Sequence, residues 1–186
     1  MYLFAIIDVY SRYVVGWSLS NTMTAQWCVA VLREAFERRG CPKIVNSDQG
    51  SQFTSIDYVD LLEGNGVAIS MDSRGRALND IFIERLWRSV KQEYVYLSPC
   101  ETGDELWRGL DGYFHFYNDE RLHQSLGYKT PTSRYLLTKR GGLKHKEAKH
   151  YRMRNNLYIC NANPQMKTTL TSPICGSNFG THYSPT

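Results

Sequence analysis

The apolar residues of this chain change rhythm several times, and each change marks an element. Tyr2 to Ile7 are almost continuously apolar, the pattern of a strand covered on both faces. Asp8-Val9-Tyr10-Ser11-Arg12 reads as a turn and Tyr13 to Leu19 as a second strand, so the two predict a hairpin. Behind Thr24, a candidate N-cap, Cys28, Val31, Leu32, Ala35 and Phe36 recur at helical spacing. Arg38-Arg39-Gly40-Cys41-Pro42 closes that helix with cations, a glycine cap and a proline. Lys43-Ile44-Val45 is short and strand-like. A helix from about Ser55 to Glu63 follows, stopped by Gly64-Asn65-Gly66, and then a short strand over 67–70. Beyond a polar loop, Met71 to Asn79, a helix begins near Asp80 with Ile83, Leu86, Trp87, Val90 and Tyr94 as its stripe. Thr102 and Glu105 form a capping box for the next, whose stripe is Leu106, Leu110, Tyr113, Phe114 and Tyr117. Asn118-Asp119-Glu120-Arg121 breaks it, and Thr130-Pro131 starts a last short helix through about Leu137.

After Leu137 the rhythm dissolves. The pattern divides the chain into a core over 1–137, a basic segment over 138–154 and a tail over 155–186. The tail is rich in Asn, Thr, Ser and Pro, so it is predicted to be poorly ordered or non-native. The first strand poses a separate problem. It reads as buried, yet nothing in this chain precedes it to shield its edge, and an open apolar edge is a liability. That points to a missing N-terminal part.

Composition adds limits. With 186 residues and 42% apolar content, the chain can hold one ordinary domain and a tail. No apolar run is long enough to span a bilayer. The apolar start is short, is followed at once by Asp8 and Arg12, and has no basic region before it, which argues against a signal peptide. The expectation is a soluble, cytoplasmic protein. The five cysteines are widely spaced, arguing against zinc or a disulfide framework. Net charge is +4, unevenly spread. Residues 1–137 hold 14 Lys/Arg against 17 Asp/Glu, whereas 138–154 hold 7 against 1. If the core binds nucleic acid, it does so through local placement of cations.

Two acids draw attention. Asp48 falls where the strand Lys43–Val45 gives way to Asn46-Ser47-Asp48-Gln49-Gly50-Ser51-Gln52-Phe53, and strand ends of α/β sheets are where ligands bind. Taken alone, Asp48 reads first as an Asx-turn residue or a cap. Glu84 shares a helix face with Arg88 and Lys91, at i, i+4 and i+7. Such a face suits a metal held beside a phosphate backbone; taken alone, it reads first as an exposed face with a Glu–Arg pair.

Thirty-five residues lie between Asp48 and Glu84, and that layout resembles the integrase and transposase branch of the ribonuclease-H-like polynucleotidyl transferases. Ser47 to Phe53 is similar to that family's second-acid motif, and Asn79 to Lys91 to its third-acid helix. Phe116 to Tyr128, with Thr130-Pro131, looks like the closing motif of bacterial insertion-sequence transposases made from two overlapping reading frames. Ile7 to Arg12 looks like that group's second-strand motif. The resemblance covers about residues 1–137. It implies an α/β fold: a ribonuclease-H-like integrase core lacking its first strand, with a mixed sheet, flanking helices and a poorly ordered C-terminal tail. It further implies metal-dependent DNA cleavage and strand transfer, with two Mg²⁺ (or Mn²⁺) ions held by three carboxylates. Asp48 and Glu84 would be two of these. Arg88 and Lys91, with Arg74 and Arg76 on the preceding loop, would contact DNA. Partners would be element-end and target DNA and, in the intact family, further copies of the protein, with no membrane.

The family's first acid lies upstream of the strand that opens this chain. Asp8 belongs to another motif and reads as a turn residue. The chain is therefore expected to be a truncated transposase core, inactive as this fragment. The alternative is a non-catalytic DNA-binding or oligomerising remnant that acts on element ends or on intact transposase. Asn79-Asp80 reverses the family's usual Asp-Asn. His123 and Arg121 receive no chemical role from spacing.

Overall fold

The computed structural model describes residues 1–71, 77–139 and 157–163. Its element order is β1 (Tyr2–Asp8), β2 (Val14–Ser20), α1 (Ala25–Arg39), β3 (Ile44–Ser47), α2 (Ile56–Gly64), β4 (Ala68–Met71), α3 (Ala77–Val90), α4 (Gly103–His115), α5 (Pro131–Lys139) and β5 (Leu157–Asn163). The sheet runs β2-β1-β5-β3-β4. β1 is antiparallel to both β2 and β5, while β3 is parallel to both β4 and β5.

The unbroken apolar run of β1 is explained by its two faces. Phe4 and Ile6 join α1 and α2 residues, including Cys28, Leu32, Tyr58 and Leu62, in one core. Leu3, Ala5 and Ile7 join α3 and α4 residues, including Ile83, Leu86, Val90, Leu106 and Leu110, in a second core on the opposite face. Burying each of these large side chains stabilises by about 1.5–3 kcal/mol, so β1 is the strand both layers depend on. The helix starts follow the predicted caps. Thr24 Oγ1 accepts the Trp27 N–H at 3.2 Å, Ser55 Oγ accepts that of Tyr58 at 3.4 Å, and Thr102 Oγ1 accepts that of Glu105 at 3.2 Å. The Glu105 carboxylate reaches back to the Glu101 N–H at 2.9 Å, one residue before the position a capping box predicts. Gly40 ends α1 at φ +83°, where a side chain would be strained.

The hairpin turn behaves as its sequence predicts. Asp8 is buried, and its Oδ2 accepts the Ser11 N–H at 2.8 Å and the Ser11 hydroxyl. Arg12 takes φ +65° and lays its guanidinium on the Phe82 ring, 3.7 Å from its centroid.

The region after Leu137 holds the main departure from the sequence reading. Residues 140–156 and 164–186 lie outside the described residues, and with them almost all of the basic segment. Leu157–Asn163, however, is a strand, and it pairs with β1 and β3 in the middle of the sheet. β1 therefore has a neighbour on each side. The seven residues carry β-prone Leu, Tyr and Ile, but they sit in polar surroundings that mask any period. What specifies the strand is the pair of open edges it fills, and a linear pattern does not show those.

Candidate active site

Asp48 stands one residue beyond β3, where the chain leaves the sheet for a short 3-10 turn over Ser51–Phe53. Its Oδ1 accepts the Gly50 N–H at 2.8 Å, the Asx turn that its sequence context predicts. Phe53 is fully buried, with its ring 6.1 Å from Phe4 and 5.4 Å from Tyr58. The loop carrying Asp48 is thus anchored to the core at its far end. Asp48 itself is half-buried. From α1 the Cys28 thiol is pushed up to about 12, first by burial and then by the negative charge of Asp48. It is an un-ionised core group beneath the loop.

Glu84 is exposed on α3, opposite the buried Ile83, Leu86 and Trp87. Glu84, Trp87, Arg88, Lys91, Gln92 and Tyr96 line one shallow groove of about 370 Å³. Arg88 Nε donates to Gln92 Oε1 at 3.3 Å. At Lys91 the helix widens into a π turn, Lys91–Val95, a distortion frequent at functional sites. The predicted face of one carboxylate and two cations is therefore real. Asp48 is not in the lining of that groove, and no hydrogen bond or ion pair described here joins it to Glu84. Arg74 and Arg76 lie outside the described residues. Among the described residues, no group of three or more His, Cys, Asp or Glu is arranged to hold a metal.

The closing segment has structural work that spacing did not reveal. The π turn Phe116–Glu120 presents Asn118 to the start of β2. There Asn118 Oδ1 accepts the Val14 N–H at 2.9 Å, and its Nδ2 donates to the Val14 carbonyl at 3.1 Å. Arg121 grips Glu93 with two bonds of 2.6 and 2.8 Å, and Tyr113 donates to the same carboxylate at 2.9 Å. Burial alone raises the Glu93 pKa, but the bonds from Arg121 and Tyr113 outweigh it and hold it below the usual range. His123 sits edge-on to Tyr117, and its pKa falls to about 4 through burial and then through Arg121. It is a neutral packing residue. Only the polar residues clustered after the α4 stripe hinted at this clamp; Glu93, 28 residues upstream of Arg121, gave no sign of belonging to it.

Comparison with known proteins places this architecture. Two family models described as "Integrase core domain" match residues 1–77 and 65–131. The chain belongs to the integrase core family, in the form carried by insertion-sequence transposases. It is 34% identical over 139 residues to the transposase for insertion sequence element IS904 of Lactococcus lactis, covering 70% of this chain and 53% of that protein. It is 37% identical over 134 residues to the transposase InsF for insertion sequence IS3A of Escherichia coli, covering 70% of this chain and 46% of that protein. The chain thus spans about half the length of these relatives. Among solved structures, the catalytic core of BIV integrase superposes with a TM-score of 0.62 at 19% identity, over 76% of this chain and 90% of that one. The HTLV-2 integrase catalytic core in complex with magnesium gives 0.56 at 17% identity, over 72% and 84%. These likenesses establish a ribonuclease-H-like fold. No helix among the described residues is long and apolar enough to cross a membrane.

Proposed function

We propose that this chain is the DNA-processing core of an insertion-sequence transposase, built for divalent-metal-dependent cleavage and strand transfer. The observation that carries the reading is the α3 groove, where Glu84 shares one surface with Arg88 and Lys91 inside an integrase-core fold. Asp48 and Glu84 are hard oxygen donors, the type Mg²⁺ prefers, and the HTLV-2 neighbour is a magnesium complex. They fit the ion in chemistry and fall short of it in number. When bound, the ion supplies an activated oxygen nucleophile and charge stabilisation at the leaving oxygen. The chain's own contribution is positional. Gly50 orients the Asp48 carboxylate, Arg88 and Lys91 seat backbone phosphates, and the arginines at 74 and 76 extend the cationic surface. With two carboxylates, the 186-residue chain binds metal weakly and strand transfer by it alone is weak or absent.

The test is Mn²⁺ binding by electron paramagnetic resonance, with nicking of element-end duplex DNA as a second readout. Asp48→Asn and Glu84→Gln should each weaken Mn²⁺ binding while leaving the thermal melt and DNA retention intact. Unchanged Mn²⁺ affinity in both variants would remove the assignment.

A second reading is favoured by the charge distribution. The basic segment 138–154 can make the chain a non-catalytic binder of element-end or target DNA, or of intact transposase. In that case DNA retention persists with no metal-dependent nicking under any condition, and both carboxylate substitutions are silent.

A further inference from the structure

The sheet consists of two pairs that residues 1–71 build without β5. β1 and β2 form an antiparallel hairpin; β3 and β4 form a parallel pair. β1 and β3 face each other across a gap one strand wide, and β5 fills it. Leu3 to Asp8 pair with Asn163 to Tyr158 on one side, and Ile44 to Ser47 with Leu157 to Cys160 on the other. The walls of the gap are held from below. α1 residues Cys28, Val31 and Leu32 cluster with Phe4 and Ile6 of β1 and also with Val45 of β3. A gap with two fixed walls takes an extended segment through main-chain hydrogen bonds on both sides, the strand-addition mode of recognition. Such bonds carry no information about which copy of the chain supplies the strand. The strand also comes on a long tether. α5 ends at Lys139 and β5 begins at Leu157, so the intervening chain can reach about 55 Å when extended. A domain of this size is only about 40 Å across.

We propose that the gap between β1 and β3 is a strand-accepting slot, and that two copies of this chain complete one another by exchanging Leu157–Asn163. The partner it fits is a second copy, presenting an extended segment antiparallel to β1 and parallel to β3. In the closed pair each copy gives one strand and receives one, so neither keeps an open inner edge. This interface is independent of the DNA chemistry proposed above, and its test involves neither metal nor DNA.

The experiment mixes full-length chains carrying donor and acceptor fluorophores. Energy transfer should rise with concentration and time, and a synthetic peptide of residues 157–163 in excess should reduce it at least tenfold. A scrambled peptide should not. Ile159→Pro blocks the strand at the position facing Ile7 and Asn46, because proline cannot donate to the ladder. The full-length variant should lose the energy transfer, melt at lower temperature, and recover its melt when the peptide is added. A chain that is monomeric at every concentration overturns the proposal. So does energy transfer that ignores the peptide, or that the scrambled peptide reduces equally. Should the proline variant not fold, competition by the peptide against the unmodified chains decides the matter alone.

Discussion

Asn118 shows how much one side chain contributes when it stands in for backbone. Its amide satisfies both the N–H and the carbonyl of Val14, next to the register shift between Ile6 and Ile7, where β1 cannot. Asn118→Ala leaves two buried main-chain groups unpaired and should cost about 2–3 kcal/mol. Thermal denaturation should register this as a fall in Tm of roughly 5–10 °C; a change under 2 °C would mean that water replaces the amide. His123 gives a pH signature. Its pKa is near 4 in the fold against 6.5 unfolded, so the fold favours neutral imidazole. The contribution is complete above pH 6.5 and fades as pH falls from there towards 4. The facing charges are Arg121 and Arg12, which oppose protonation, and Glu93, which favours it. Discounted for partial exposure, the loss should be about 1 kcal/mol. Melts between pH 7 and 4 should show it, and His123→Gln should flatten that part of the curve. Glu93 works in the same sense at lower pH, since its own pKa is depressed. At this scale the site was legible where chemistry leaves a linear trace. Asp48 at a strand end and the i, i+4, i+7 set of Glu84, Arg88 and Lys91 are sequence patterns. The Glu93–Arg121–Tyr113 clamp is not, because the three residues come from separate elements that only packing joins.

The elements with strong local signals were legible throughout: the double-faced run of β1, the capped starts of α1, α2 and α4, and the stripes of α3 and α4. β5 was not, since its placement depends on two edges distant in sequence. The π turns were also hidden, because nothing in an apolar stripe separates 3.6 residues per turn from a local widening. The turn Lys91–Val95 carries Tyr94 onto α4 at Gly109. A Cβ built on Gly109 would lie 1.4 Å from the Tyr94 hydroxyl oxygen. The Tyr94 ring stacks with Tyr113 at 6.0 Å, and its hydroxyl lies 3.7 Å from Cys100 Sγ. Two effects compete in Gly109→Ala. Helix propensity favours alanine by about 1 kcal/mol, whereas overpacking costs about 1–3 kcal/mol. Tyr94 is stiff and held by two neighbours, so overpacking should win and the variant should be less stable by about 1 kcal/mol in urea denaturation. Phe in place of Tyr94 should relieve part of that loss in the double variant, because it removes the atom that would clash. A Gly109→Ala chain more stable than its parent would show that the tyrosine leaves α4 freely.

The charge of the whole molecule sets what its DNA binding should look like. The net +4 hides a core that is acidic and a 138–154 segment that carries 7 Lys/Arg against 1 Asp/Glu. An acidic body approaching a polyanion gains nothing from its long-range field, so affinity must come from cations placed against phosphates. Two such sets exist: Arg88 and Lys91 in the Glu84 groove, and the lysines at 144, 146 and 149. Each phosphate neutralised on duplex DNA contributes about 0.9 to the slope of log affinity against log salt. Lys144→Gln, Lys146→Gln and Lys149→Gln together should flatten that slope by up to about 2.7. Arg88→Gln with Lys91→Gln should flatten it by up to about 1.8. Gel retardation of element-end duplex across a salt series measures both. The transposase-core reading requires the groove pair to contribute, because a carboxylate that works on a phosphodiester must have phosphates seated beside it. If only the lysine triple moves the slope, the groove is an ordinary charged helix face and the chain binds DNA through its basic segment alone. If both move it and the effects add, groove and segment follow one duplex, and Glu84 lies against the backbone where the chemistry would take place.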